Sequence, residues 1–305
     1  MNPIRPLLLW LMTLIASQCA CQVLAQSPNA QVVATSDVVK VVGGFAFTEG
    51  PAATDEGMLY FTDIPNETIH RLSPDGTLSV FTNQSNHANG LWYLGNGQML
   101  ACEMDGAIVR YDLASGERRV IADEYQGNRF NACNDCVVDA QGGIYFTDPQ
   151  YRAPQPLPQS VRAVYYISVD GDVSRLTDDL NAPNGIGLAP DGNTLYVIPS
   201  MQSEMLAFDV EGPGKISNQR VFCTLAQPAG KSSSGGDGMT MDVTGNLYIT
   251  TDLGIQIFNP QGIAIGLVAV PERPANVTFG GPESKTMFMT ARKSLYSVEM
   301  PIAGL

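Results

Sequence analysis

Apolar positions along the chain come in short bursts of strand length. No run with a 3.6-residue period lasts longer than two turns. The clearest burst follows Asn134: a short apolar strand (Cys136 to Val138), a glycine-bearing turn (Asp139 to Gly143), then a β-rich strand ending at Asp148. The same phrase recurs. Glu49 precedes Asp63 by 14 residues, as Asn89 precedes Glu103, Asn134 precedes Asp148 and Asp237 precedes Thr251. Asn184 and Asn276 open units whose second strands start one residue later. Six units therefore begin at 49, 89, 134, 184, 237 and 276, spaced 40, 45, 50, 53 and 39 residues apart. A supersecondary unit repeated at this period buries its apolar faces only by stacking on its neighbours.

Each unit carries four strand signals except the last, which ends after Ser294 to Val298 with three. One spare β-rich segment, Val38 to Phe45, stands ahead of the first unit. Pairing the spare strand with the incomplete unit closes a ring. The pattern predicts an all-β fold, a six-bladed β-propeller with four-stranded antiparallel blades, filling residues 37–305 as one domain. Unit three holds an insertion, Tyr151 to Ser160, with Pro154, Pro156 and Pro158. It cannot pair as a central strand and reads as a loop, a lid over one end of the molecule.

Composition then narrows the partners. A formal charge of −13 leaves no basic face for nucleic acid. It is compatible with a bound cation. After residue 30 no apolar run reaches the roughly 18–20 residues that span a bilayer. Ahead of it, Arg5, an apolar core from Pro6 to Ala16 and the small residues of Val23-Leu24-Ala25 match a cleaved signal peptide over 1–25, followed by a polar tail over 26–36. That reading places the protein in the secreted or periplasmic space, with no membrane association after cleavage. Cleavage would leave Cys102, Cys133, Cys136 and Cys223. Three residues of extended chain hold the Cα atoms of Cys133 and Cys136 about 10 Å apart, too far for a disulfide, so buried thiols are expected.

In a propeller the first strand of each blade lines the central channel. Glu49, Asn89, Asn134, Asn184, Asp237 and Asn276 share one register of that strand, so they should face one another around the axis. Any single asparagine there could simply start a strand and bond its own backbone. Six polar residues in six units, two of them acids, point further, because carboxylates converging in a partly desolvated channel repel without a compensating cation or proton. Hard oxygen donors suit Ca²⁺, Mg²⁺ or Mn²⁺. His70 and His87 are the only histidines, which leaves little for a histidine-rich zinc site or a Ser-His-Asp triad.

Phe47-Thr-Glu49-Gly-Pro51, Arg129-Phe-Asn131 with Asn134-Asp135, Pro183-Asn184-Gly185 and Gly236-Asp237-Gly238-Met239 resemble the signature segments of the senescence marker protein/gluconolactonase (regucalcin-like) family. The resemblance extends from Val38 to Val298. Around Asn134-Asp-Cys136 the chain is also similar to diisopropylfluorophosphatase. The resemblance implies a six-bladed propeller with one divalent cation in the channel, Ca²⁺ first, with Mg²⁺, Mn²⁺ or Zn²⁺ as alternatives. It implies Glu49, Asn134, Asn184 and Asp237 at the metal and Arg129 as a substrate holder. Asn131, Asn89, Glu103 and Asn276 complete the expected substrate-facing set. The 14-residue interval favours Asn134 over Asn131 as the residue facing the metal.

The expected activity is opening of a lactone, a sugar lactone above others, with Asp237 activating water and a small-molecule lactone as the partner. Two other expectations stand beside it: a phosphotriesterase using the same site, and a non-catalytic secreted propeller in which Ca²⁺ is structural. Oligomeric state is open.

Overall fold

The computed structural model describes residues 31–305. The expected signal segment over 1–25 lies outside the described residues. Six four-stranded sheets follow in chain order, each antiparallel and each running from the axis outward. Blade 1 is Thr48–Ala53, Leu59–Asp63, Thr68–Leu72 and Leu78–Thr82; blade 2 is Ala88–Gly95, Gln98–Glu103, Ala107–Asp112 and Arg118–Ala122. Blades 3, 4 and 5 begin at Cys136–Val138, Pro183–Leu188 and Met239–Met241. Blade 6 takes Pro274–Gly280, Thr286–Ala291 and Ser294–Glu299, and its outer strand is Val39–Gly43 from the other end of the chain. Val39 lies opposite Ser297 and Gly43 opposite Ser294. This is the closure expected from the spare strand. It leaves blade 6 no unpaired edge beyond those of its sister blades.

The burial pattern explains why the strands read as apolar bursts and not as strict alternation. A middle strand is covered by neighbouring blades on both faces, so every residue of Leu59–Asp63, Ile144–Asp148 and Ala163–Ile167 is buried. Outer strands have one neighbour fewer, and Arg118–Ala122 is mostly exposed. The core is therefore a set of inter-blade seams. Leu100 and Cys102 of blade 2 meet Phe146 and Tyr165 of blade 3. Tyr145 and Val164 of blade 3 meet Leu195 and Phe208 of blade 4. Full burial of one such large side chain stabilises by about 1.5–3 kcal/mol, so the ring is held by many seams of similar strength. Cys102, Cys133, Cys136 and Cys223 are buried free thiols, as expected.

Candidate active site

The inner strands come close enough at their first residues to bond across blades. The Gly90 N–H donates to the Asn134 carbonyl (2.8 Å), the Gly185 N–H to Asp237 (3.0 Å) and the Gly238 N–H to Ala275 (2.8 Å). Threonine hydroxyls on second strands add a further stitch: Thr62 to the Asn89 carbonyl (3.1 Å), Thr147 to Asn184 (2.7 Å) and Thr250 to Ala275 (2.8 Å). Glycine follows the polar residue in four of the six units because there is no room for more. A Cβ on Gly238 would lie 2.0 Å from the Asn276 side-chain oxygen, and one on Gly90 would lie 2.4 Å from Asp135. Unit six carries Val277 at this position; unit three is the other exception, with Asp135.

That exception puts a third carboxyl into the channel. Glu49, Asn89, Asn134, Asn184 and Asn276 are buried, as is Asp135. Asp237 is only half-buried, so it is the ring carboxylate that a solute can reach. Burial raises the Glu49 carboxyl well above its usual range, and the charges of Asp237 and Asp135 raise it further, against the Gly50 N–H and Asn276. Burial pushes Asp135 up to about 7 and Asp237 up to about 6. Three carboxyls that feel one another in a desolvated channel need protons or a cation. The amide nitrogen of Asn184 donates to Asp237 (2.7 Å), which leaves Asn184 its oxygen for a cation. Asn276 donates to Asp135 (3.4 Å) and accepts from the Val277 N–H (2.8 Å), so it is a positioning group. Asn134 is fixed through its backbone, between the Thr147 carbonyl (2.9 Å) and the Gly90 N–H. Among the described residues no three His, Cys, Asp or Glu side chains form a ready metal cage. The donor set that could hold a cation is therefore mixed: carboxylates of Glu49 and Asp237 with amide oxygens of Asn134 and Asn184, a set suited to a hard divalent ion.

Two residues expected at the substrate lie elsewhere. Asn131 is fully buried, and its amide is used on backbone. It donates to the Val161 carbonyl (2.7 Å) and accepts from the Gln159 N–H (3.0 Å), tying down the base of the insertion. Glu103 turns away from the channel into its own blade, where Arg118 grips it in two short bonds (2.7 and 2.6 Å). Arg129 sits at the rim with its guanidinium bonded to the carbonyls of Phe130 (3.0 Å) and Asn131 (3.2 Å). Asn89 stays in the ring and contacts the Met104 sulfur (4.0 Å). His87 pairs with Asp105 (3.1 Å), and His70 lies between Phe45 and Phe61 within blade 1. Asp135 is a functional candidate that the sequence expectations did not include; its signal was a carboxyl where four units have glycine.

The insertion reaches over this end of the channel. Tyr151 and Ala153, together with Phe47 just before blade 1, pack against the buried Ile64, Met104 and Ala132. The opposite end widens into a cavity of about 600 Å³, with Asp135 and Asn276 among its lining residues beside Met241, Phe279 and Leu305. The polar ring thus lies between a lidded mouth and a vestibule of mixed polar and apolar lining.

A six-bladed propeller with carboxyls and amides converging at one end of its channel defines a class of ring-shaped scaffolds with a polar axial site. Within it, the chain belongs to the SMP-30/gluconolactonase/LRE-like family, whose pattern matches residues 47–293. It is 27% identical over 289 residues to a gluconolactonase of Zymomonas mobilis, covering 87% of this chain and 81% of that one. It is 29% identical over 182 residues to the diisopropyl-fluorophosphatase of Loligo vulgaris, covering 55% and 57%. The solved structure of XC5397 from Xanthomonas campestris, described as a gluconolactonase, superposes with a TM-score of 0.80 at 25% identity, covering 89% of this chain and 94% of that one.

Proposed function

We propose that this protein hydrolyses lactones, sugar lactones in particular, with a divalent cation held in the channel by Glu49, Asn134, Asn184 and Asp237. The observation that carries the reading is the set of three carboxyls, Glu49, Asp237 and Asp135, all displaced upward by burial in one lidded channel. Membership of a lactonase family and likeness to a gluconolactonase support the reaction class. Such a cation, when bound, polarises the lactone carbonyl and offsets the negative charge that grows on its oxygen. Asp237 is the half-buried acid, so it takes the proton from the attacking water as general base. Water adds to the carbonyl carbon, the ring C–O bond breaks, and the departing oxygen is protonated to give the open hydroxy acid. Asn184 holds the Asp237 carboxylate in place, and Tyr151 closes the mouth against bulk water.

A second reading has its own support. The Asn134-Asp135-Cys136 segment and the similarity to the squid diisopropyl-fluorophosphatase favour a phosphoester substrate on the same site, with Asp237 as nucleophile. One experiment separates the two. Protein stripped of metal is assayed on a panel of lactones and phosphotriesters, with Ca²⁺, Mg²⁺, Mn²⁺ and Zn²⁺ added back singly. Cation-restored hydrolysis of a lactone is the expected result. Turnover of phosphotriesters alone would transfer the assignment to the second reading, and turnover of neither would remove both.

A further inference from the structure

Among the described residues three buried side-chain polar atoms have no hydrogen-bond partner: His70 Nδ1, Gln150 Oε1 and Ser200 Oγ. Leaving such an atom unpaired costs about 1–3 kcal/mol, so native proteins keep few of them without a reason. His70 is accounted for: it stacks on Phe61 at 5.2 Å inside blade 1, where a neutral ring needs no partner on each nitrogen. Gln150 has no such explanation, Ser200 Oγ has the Tyr151 hydroxyl within reach but no well-formed bond to it, and the two residues occupy equivalent places in adjacent blades. Each follows a proline at the mouth end of a second strand: Pro149-Gln150 in blade 3 and Pro199-Ser200 in blade 4.

Both flank Tyr151. Gln150 is its neighbour in sequence, and the Tyr151 hydroxyl lies near enough to Ser200, Asn184 and Asp237 to feel all three. Ser200 is wedged against the site through its backbone. Its N–H donates to Ala182 (3.0 Å), two residues before Asn184, and a Cβ on Gly235, two residues before Asp237, would lie 2.4 Å from the Ser200 carbonyl carbon. Ser200 and Tyr151 therefore border the same carboxylate and amide that the proposed reaction uses, with Gln150 next to Tyr151 in the chain.

We infer that Gln150, Tyr151 and Ser200 form a subsite for the hydroxyl groups of a polyhydroxylated substrate, on the blade 3–4 side of the mouth. The inference rests on the lactonase reading and sharpens it. An amide oxygen such as Gln150 Oε1 only accepts, so it calls for a hydroxyl or amine donor and repels a carboxylate or phosphate. Ser200 Oγ both donates and accepts, which suits the adjacent hydroxyl of a vicinal pair. An unsubstituted lactone supplies neither partner and leaves both atoms unpaired, so the subsite selects against it.

The test compares an aldonolactone with δ-valerolactone, which has a lactone ring but no hydroxyls. Wild type, the Gln150→Leu/Ser200→Ala double variant and Tyr151→Phe are measured under one saturating cation, with thermal denaturation confirming the fold. The double variant should lose about tenfold in kcat/KM on the aldonolactone, chiefly through KM. Its loss on δ-valerolactone should be smaller, so the ratio of the two falls. Tyr151→Phe should shift the ratio in the same direction by a smaller factor. Equal losses on both substrates, or an unchanged ratio, would overturn the subsite while leaving the lactonase reading intact. Wild type inert on both lactones would overturn the lactonase reading, and the subsite with it.

Discussion

Two sets of oxygen-bearing side chains stand one strand apart at the same end of the ring, and they differ in how many donors meet them. On the second strands, Asp63 accepts the N–H groups of Ala46 and Phe47 (3.1 and 2.9 Å), and Asp148 accepts those of Asn131 and Ala132 (2.8 and 2.7 Å). Glu103 at the same register takes the Arg118 guanidinium, Asn86 (3.0 Å) and Tyr111 (3.3 Å). These acids hold the loops that lead into the inner strands. On the inner strands, Glu49 receives the Gly50 N–H (2.9 Å), and two further carboxyls face it. The chemistry of a carboxylate is set by the donors left over after folding. An acid with its lone pairs filled is a strut, and one left short of donors is available to a cation or a proton.

The strongest way to break this contrast is within the inner set. Asp237→Asn should lower turnover by about 10²–10⁴-fold, with no recovery at saturating cation, because it removes the base. Glu49→Gln should weaken cation binding, and excess cation should recover part of the activity. Full recovery of Asp237→Asn at high cation would make Asp237 a ligand only.

A middle-sized effect separates the sets. Glu103→Ala removes the partner of Arg118, Tyr111 and Asn86. Arg118 remains partly in water, so the stability loss is about 2–4 kcal/mol, read as a lower urea midpoint with KM unchanged. A raised KM with an unmoved midpoint would return Glu103 to the substrate surface.

The smallest effect lies within the outer set. Burial pushes the Asp148 carboxyl up to about 7, although two N–H groups oppose the shift. The folded state then holds its proton more tightly than the unfolded chain does. Its contribution is complete below the unfolded value near 3.8 and is lost as pH rises through about 7. With the channel saturated by cation, wild type should lose stability steadily as pH rises across that window, and Asp148→Asn should flatten the slope. Parallel slopes in the two proteins would remove Asp148 as the cause.

The 14-residue interval made both sets legible from sequence, because register in a repeated antiparallel unit converts position directly into place on the ring. Blade number and the convergence of Glu49 with Asp237 followed from it, and closure by Val38 to Phe45 followed from a spare strand ahead of an incomplete last unit. The interval could not say which way a side chain leaves its strand. Glu103 and Asp148 share a register with Asp63, and only the packing of Arg118 and of the loop before Asn134 shows that they point away from the axis. Asn131 looked like a site residue because it lies in the Arg129-Phe-Asn131 segment that resembles the family's signature. The insertion it pins, through Gln159 and Val161, comes from residues about thirty positions later that no local pattern links to it. Asp135 was readable in principle. Comparing the units position by position shows glycine after the polar residue in units one, two, four and five, and a carboxyl in unit three.

Closure by Val39–Gly43 also sets the order in which the molecule can come into being. Val39 pairs with Ser297, so one of the first strands synthesised waits for one of the last. The loop entropy of that contact must be met before the contact repays it, which makes closing the ring the slow, non-local event in folding. Until then blade 6 lacks its outer strand, and Asn276 is not held against Asp135 on the far side of the axis. The channel residues come from all six blades, so they share an axis only once the ring has shut. A chain stalled before its last strand is thus a row of blades with free edges and no site, and it acquires its chemistry in the same step that protects it from aggregation.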